Sequence, residues 1–230
     1  VKKFKEFAAI PSPSGKEAKF AARIKAELEA LGLKAREDKA GESFGGEQGN
    51  LFARMPGDRK RPTLMLCGHL DTVETGEKKI TPRVKNGYIT SGGETILGAD
   101  DKAAVAAILE ALRVIKEKDI PHSPLEIVFT VSEETGLHGA KAFDCKQLKA
   151  EAGFILDANG PVGGVINRAP AYDAIRATIK GRAAHAGACP EAGVSAIQIA
   201  GEAIAGMRLG RLDDKTTANI GLISGGTARN

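Results

Sequence analysis

Apolar positions recur along this chain in two patterns that predict alternating helices and buried strands. A spacing of three to four residues predicts helices, and it occurs in the segments 2–10, 15–32, 100–118 and 191–209. Apolar runs that end in polar residues predict buried strands, and they occur in the segments 63–70, 124–134 and 152–160; the first of them is a continuous apolar run, which suits burial on both faces. The alternation predicts an α/β fold, with a mostly parallel twisted sheet and helices on both faces.

The pattern changes near residue 165, which predicts a second domain. Strand-like segments at 161–181 and 216–230 flank the helical pattern at 191–209. We therefore expect a larger domain at 1–165 and the first part of a smaller α+β domain at 166–230.

Composition and charge exclude several classes of function. Lys and Arg number 33 against 29 for Asp and Glu, and the excess is spread along the chain, so we expect no nucleic-acid partner. Apolar runs of about 20 residues, which a membrane span requires, do not occur. Cys67, Cys145 and Cys189 lie far apart and form no CxxC pair, which favours a reduced, cytoplasmic location.

The ends of the buried strands carry the candidate chemistry. Acidic or imidazole side chains lie at the ends of the three apolar runs and open the third predicted helix: His69 and Asp71, Glu133 and Glu134, Asp157, and Asp100. Ligands bind at the carboxyl ends of parallel strands, so these groups are expected to meet in one crevice. Five carboxylates and an imidazole would repel one another there, and a divalent metal with nitrogen and oxygen ligands removes that cost.

Spacing suggests how the groups divide the work. Residues two apart in a strand point to the same face, so His69 can bind a metal while Asp71 holds the ring from behind. Glu133 and Glu134 are adjacent and cannot point the same way in an extended segment. One of them is therefore expected to bind metal and the other to act as a base toward water.

Four motifs occur in order along the chain: "GHLDTV", "LGADDKAA", "VSEETGLHGAKA" and "FILDANGPVGG". Together they resemble the dinuclear zinc exopeptidase family of peptidase T, carboxypeptidase G, aminoacylase and succinyl-diaminopimelate desuccinylase, and the peptidase T-like branch matches best. The resemblance covers essentially the whole chain. It implies a catalytic zinc-binding domain at 1–165 and part of a lid and dimerisation domain at 166–230.

The resemblance also implies a role for each residue of the motifs. His69 and Asp157 would bind the first zinc, and Asp71 would orient His69. Asp100 would bridge both zincs, and the peptide bond between Asp100 and Asp101 is commonly cis in the family. Glu134 would bind the second zinc, and Glu133 would be the general base.

Residues of the second domain gain roles in the same way. In "GRAAHAG", His185 resembles the lid histidine that reaches into the partner subunit's site and stabilises the oxyanion, which implies a homodimer. Asn230, in "GGTARN", resembles a lid residue that contacts substrate. The family's last zinc ligand is a histidine near the end of a longer chain, and we expect this sequence to stop before it.

The expected function is a co-catalytic dizinc aminopeptidase acting on short peptides in the cytoplasm, with Co²⁺ or Mn²⁺ as substitutes for zinc. Two alternatives stay open: a deacylase of N-acyl amino acids in the same family, and a truncated relative that binds metal or dimerises without catalysis.

Overall fold

The structure is a computed structural model, and it describes residues 1–73, 79–169 and 171–226. The α-helices among these residues are α1 Lys2–Ala8, α2 Ala18–Ala30, α3 Ala99–Glu117, α4 His138–Ala142 and α5 Ala196–Gly206. The strands are β1 Arg36–Glu37, β2 Leu51–Met55, β3 Leu64–His69, β4 Arg83–Lys85, β5 Tyr88–Thr90, β6 Leu125–Thr130, β7 Ala152–Ile155, β8 Gly210–Arg211 and β9 Thr217–Ala218. Short 3-10 turns occur at Ala40–Ser43, Cys145–Gln147 and Pro190–Ala192.

A five-stranded sheet in the order β1-β2-β6-β3-β7 forms the centre of the first part of the chain. Strand β3 is parallel to both of its neighbours, β6 and β7, whereas β1 and β2 extend the sheet with antiparallel pairings. The predicted α/β class is confirmed. Because β3, β6 and β7 run in the same direction, their carboxyl ends lie along one edge of the sheet.

One continuous core holds the helices to this sheet. Alternate residues of β2 and β6 point toward the helices, as the pleat of a strand requires. Helices α2 and α3 contribute apolar residues at three- and four-residue spacing to the same core. Its fully buried members include Phe7, Phe20, Ile24, Leu28, Val105, Leu112, Ile127 and Phe129. This packing fixes the start of α3 beside the carboxyl end of β3.

The starts of the two long helices differ from their sequence patterns. The "SPSGKE" segment predicts a side-chain cap for α2, but Glu17 occupies the N-cap position and makes no capping hydrogen bond. Helix α3 follows Gly98, and Asp100 and Asp101 within its first turn have non-helical backbone angles. The side chains of Glu17 and Asp101 at these two helix starts instead contact the ends of β6 and β3.

The chain separates into two compact units, Val1–Val162 and Gly163–Asn230. The second unit contains α5, the short β8–β9 pair and an antiparallel bridge between Arg182 and Val194. The strands predicted at 161–181 and 216–230 are wrong for the described residues, where Thr217–Ala218 is the one strand in these segments. A strand needs a hydrogen-bonded neighbour, and apolar alternation alone does not supply one.

Among the described helices, none has both the length and the apolar character needed to cross a membrane.

Candidate metal centre

The buried strand β3 ends directly in the candidate site. His69 is its last residue and is 2% exposed, and Asp71 is completely buried two residues later. The Leu70 N–H continues the pairing with β6 by donating to the Thr130 carbonyl over 2.8 Å. His69 Nδ1 lies 3.3 Å from Asp71 Oδ1, outside good hydrogen-bond geometry. The structure therefore brings together the imidazole and the carboxylate that the sequence pairs.

Asp71 also organises the end of β6. Its Oδ1 accepts a hydrogen bond from the Glu133 N–H over 2.9 Å, and its Oδ2 accepts from the Glu134 N–H over 3.1 Å. The Ser14 hydroxyl donates to the same Oδ2 over 2.7 Å. Burial opposes the charge of Asp71, but these donors and His69 lower the pKa of its carboxyl. Asp71 thus stays anionic and ties two strand ends together.

Two further aspartates face the other ring nitrogen of His69. Asp100 Oδ1 lies 3.0 Å from His69 Nε2, and Asp157 Oδ2, just beyond β7, lies 3.9 Å from it. The peptide bond between Asp100 and Asp101 is cis, as the resemblance implies. Burial by itself lowers the pKa of His69, but the surrounding aspartates outweigh it and raise the pKa to about 10.

Asp101 supports β3 from the start of α3, a role that the sequence did not reveal. It is 3% exposed, and its Oδ2 accepts the backbone N–H of His69 over 3.0 Å. Burial raises the pKa of Asp101 to about 7, against that hydrogen bond. A Cβ added at Gly68 would lie 2.7 Å from Asp101 Oδ2, so the absence of a side chain at 68 permits this close approach.

Two clusters with metal-ligand chemistry occur in the part of the chain that the structure describes, and both contain His69. One joins it with Asp100 and Asp157, and the other joins it with Glu133 and Glu134; within each cluster the candidate ligand atoms lie within 4.8 Å of one another. Burial and neighbouring carboxylates raise the pKa values of Glu133, Glu134 and Asp157.

This donor set fits a metal ion. Carboxylates crowded against one imidazole at a partly buried sheet edge destabilise one another, and a divalent cation relieves that repulsion. Imidazole nitrogen with carboxylate oxygen is a ligand set that suits Zn²⁺, with Co²⁺ and Mn²⁺ as related choices.

The remaining histidines make local contacts. The chain has four histidines. His122 Nδ1 lies 2.7 Å from the Ser123 carbonyl oxygen, and the His138 ring stacks on Phe44 with centroids 5.3 Å apart. In the second unit, His185 Nδ1 accepts backbone N–H groups from Gly187 and Ala188. Asn230 lies outside the described residues.

Sequence reasoning missed three residues that contact the strand ends: Ser14, Glu17 and Ser132. The Glu17 carboxylate accepts from both the N–H and the hydroxyl of Ser132, and Ser14 donates to Asp71. Ser14 and Glu17 have the S-x-x-E spacing of a helix capping box, so a local pattern concealed a long-range contact. The available signal was the carboxylate of Glu17 directly before a helix whose buried face is mostly apolar.

Family comparisons agree with this geometry. The model of peptidase family M28 matches residues 50–188, more than half of the chain, and that of a peptidase dimerisation domain matches residues 172–230.

Similar proteins and structures cover most or all of the chain. The Bacillus subtilis protein YqjE is 44% identical over all 230 residues, and peptidase T of Fusobacterium nucleatum is 31% identical over 85% of the chain. The crystal structure of the aminopeptidase PepT from Bacillus cereus covers the whole chain with a TM-score of 0.86 and 43% identity. A tripeptidase structure from Staphylococcus aureus does so with a TM-score of 0.85 and 41% identity.

The chain is shorter than these relatives. It spans 62% of YqjE, 53% of the Fusobacterium peptidase T, and 62% and 61% of the two aligned crystal chains.

Proposed function

This chain belongs to the zinc exopeptidase family that includes peptidase T, and from that membership we propose that the full-length protein is a two-metal aminopeptidase acting on short peptides. The observation that carries the proposal is the meeting of three parallel strand ends at His69. Asp100 and Asp157 approach its Nε2, while Asp71 lies at its Nδ1 and holds the N–H groups of Glu133 and Glu134.

We assign the first metal to His69, Asp100 and Asp157, whose ligand atoms already cluster. Asp100 and Glu134 would hold a second metal together with a ligand from elsewhere in the full-length protein. When bound, the two zinc ions lower the pKa of water and polarise the scissile carbonyl group. Asp71 lies beside Nδ1 of His69 and would leave Nε2, which faces Asp100, free to bind a metal.

We assign proton transfer to Glu133. Its backbone N–H is fixed by Asp71, and its side chain is half-buried, so the carboxylate is held within 4.8 Å of the candidate ligand atoms of His69 and Glu134. The Glu133 carboxylate accepts the proton of the attacking water and then delivers it to the leaving amine. The raised pKa of Glu133 suits a group that must hold the proton between these two steps.

We assign oxyanion stabilisation to His185 of the second subunit in a homodimer, a partner arrangement that the dimerisation-domain match supports. His185 Nδ1 accepts N–H groups from Gly187 and Ala188 over 3.1 and 3.2 Å. A neutral ring that accepts at Nδ1 carries its proton on Nε2. The local turn therefore presents an N–H donor, which is what a developing oxyanion requires.

Short peptides are the proposed substrates, because the relatives at more than 40% identity include proteins described as an aminopeptidase and a tripeptidase. Substrate contact at Asn230 stays a prediction. A cytoplasmic location is proposed as well, and the three free cysteines support it.

The experiment compares substrates and metals with the full-length protein. The protein is stripped with a chelator, reloaded with Zn²⁺, Co²⁺ or Mn²⁺, and assayed on tripeptides and on N-acetyl amino acids. We expect tripeptide hydrolysis to vanish on stripping and return with metal, with N-acetyl amino acids hydrolysed far more slowly. Faster release of acetate would identify a deacylase, and inactivity toward both substrates would identify a non-catalytic relative.

A further inference from the structure

Residues 10–17, here called the N-terminal brace, contact the loop that directly follows β3 and carries Asp71. Ser12 Oγ donates to the Leu70 carbonyl over 2.8 Å, and the Thr72 N–H returns a bond of 2.9 Å to the Ser12 carbonyl. Ser14 Oγ donates to Asp71 Oδ2 over 2.7 Å. The brace thus holds three consecutive residues, Leu70, Asp71 and Thr72, from a segment nearly 60 positions away in the chain.

The brace reaches α3 as well. The Lys102 ammonium, in a residue with no exposed surface, donates to the Ile10 carbonyl and lies 4.7 Å from the centroid of the Phe20 ring. Lys102 follows the Asp100–Asp101 pair directly, so this contact ties the start of α3 to the same segment.

Glu17 connects the brace to the end of β6. Its residue is completely buried, and its Oε1 accepts three hydrogen bonds: from the Gly15 N–H over 2.8 Å, and from the Ser132 N–H and hydroxyl over 3.0 Å each. When one oxygen of a buried carboxylate accepts from both the N–H and the hydroxyl of the same residue, that residue's backbone is held closely in place. Ser132 immediately precedes Glu133 and Glu134.

The backbone of Ser132 has an unusual conformation. Its φ of 51° lies in the left-handed region, which residues other than glycine adopt at a cost. This conformation turns the chain out of β6, and the next two N–H groups then point to the two oxygens of Asp71. The two hydrogen bonds that Ser132 donates to Glu17 offset the conformational free-energy cost of this backbone geometry. They thereby hold the turn that positions Glu133 and Glu134.

We propose that Glu17 is a positioning residue for this metallopeptidase site: by clamping Ser132 in its left-handed conformation, it aims Glu133 and Glu134 at the metal cluster. The proposal rests on the function proposed above for Glu133 and Glu134. Glu17 itself touches neither metal ligand nor substrate, and it acts through Ser132 and the Asp71 bonds.

The chain offers a matched control in the same helix region. Glu27 of α2 is also buried, at 9% exposed, but it pairs with Arg23 over 2.6 Å and with Lys3, away from the sheet edge. Removing either carboxylate takes a buried acceptor away from its ion pairs or hydrogen bonds and lowers stability. Only the loss of Glu17 should reach the turn at Ser132.

The test uses full-length Glu17→Ala, Glu17→Gln and Glu27→Ala, with kcat, KM, Zn²⁺ affinity and amide hydrogen exchange as readouts. For Glu17→Ala we expect kcat and Zn²⁺ affinity to fall about 10- to 100-fold, the range for supporting residues around metal sites, with KM little changed. Exchange at the amides of Ser132, Glu133 and Glu134 should accelerate. Glu17→Gln keeps an acceptor oxygen for Ser132 and should retain most of the kcat, whereas Glu27→Ala should alter melting temperature alone.

Equal kcat and equal exchange in Glu17→Ala and Glu27→Ala would overturn the proposal. If Glu17→Ala does not fold, Glu17→Asp carries the test, because it keeps the charge but withdraws the carboxylate from Ser132 by one methylene group; wild-type kcat and exchange in that variant would overturn it equally. A wild-type protein that hydrolyses no peptide would refute the proposed function, and the exchange comparison would still decide the role of Glu17.

Discussion

Most contacts of the candidate site converge on the carboxylate of one residue, Asp71. It is completely buried, faces His69, and accepts from the backbone of both Glu133 and Glu134 and from Ser14. Its charge is stabilised by these donors despite burial, as the lowered pKa indicates. In the proposed scheme this one side chain orients the candidate metal ligand His69 and places the candidate base Glu133.

Asp71→Asn tests this dependence at the scale of one atom. Oδ1 and Oδ2 each accept a backbone N–H, and an amide nitrogen at either position would face that donor with another donor. We expect kcat on a tripeptide to fall about 10- to 100-fold. The free energy of unfolding should fall by about 1–3 kcal/mol, measured by urea denaturation, because a buried N–H is left unpaired.

Asp144→Asn is the control for that change. Asp144 also accepts a backbone N–H, from Lys146 over 3.0 Å, but it is exposed and caps a short turn away from the site. Its variant should keep the wild-type kcat. Indistinguishable kinetics for Asp71→Asn and Asp144→Asn would contradict the role given to Asp71.

At the scale of elements, strand β3 and helix α3 fit together because position 68 has no side chain. Gly68 precedes His69, and a Cβ there would lie 2.7 Å from the Asp101 carboxylate that accepts the His69 N–H. Asp101 is buried and cannot move away without breaking that bond.

Gly68→Ala should therefore destabilise the protein by about 1–3 kcal/mol, as overpacking does in a filled core, and should weaken Zn²⁺ binding. Gly153→Ala in the neighbouring strand β7 is the matched control. Its Cβ would also meet an atom at 2.7 Å, but that atom is the terminal methyl carbon of Met65, which can rotate away. Urea denaturation and Zn²⁺ titration of both variants measure the difference, and equal losses would show that Asp101 is not held as described.

Much of the element arrangement could be predicted from the sequence, because burial leaves a periodic signal. The long apolar runs before His69 and Glu133 match β3 and β6, and the helical spacing at 100–118 matches α3. The convergence of strand ends followed from the rule that parallel strands share one binding edge.

The parts that could not be predicted depend on contacts distant in sequence or on missing partners. The bond between Glu17 and Ser132 spans 115 positions, and Glu17 fits a local capping pattern with Ser14 equally well. The strand pattern at 161–181 had no neighbouring strand in the described structure to pair with. The roles of individual carboxylates came from the family resemblance, since spacing alone left Glu133 and Glu134 interchangeable.

At the scale of the whole molecule, the first unit carries the candidate metal ligands and the second carries the match to a dimerisation domain. We therefore expect the full-length protein to sediment as a homodimer. In the proposed scheme each active site uses one histidine from each subunit: His69 of one subunit and His185 of the other.

His185→Ala should leave the dimer mass unchanged in analytical ultracentrifugation. Its kcat should fall by about 10²- to 10³-fold, the loss seen when one oxyanion donor is removed. His122→Ala is the control, because the ring of His122 makes a local contact with the carbonyl of the next residue, Ser123, and has no role in the proposed mechanism. Its kcat should match the wild type. A monomeric wild-type protein, or a His185→Ala variant with wild-type kcat, would contradict the two-subunit site.

In the proposed mechanism, Glu133 transfers the proton while other side chains hold the metals. The most direct measurement is the metal content and the tripeptide turnover of full-length Glu133→Ala, determined on the same sample. We predict two metal ions per chain, as in the wild type, and no detectable turnover, because the site is assembled but lacks its base. Loss of metal together with activity would make Glu133 a ligand and would contradict the account.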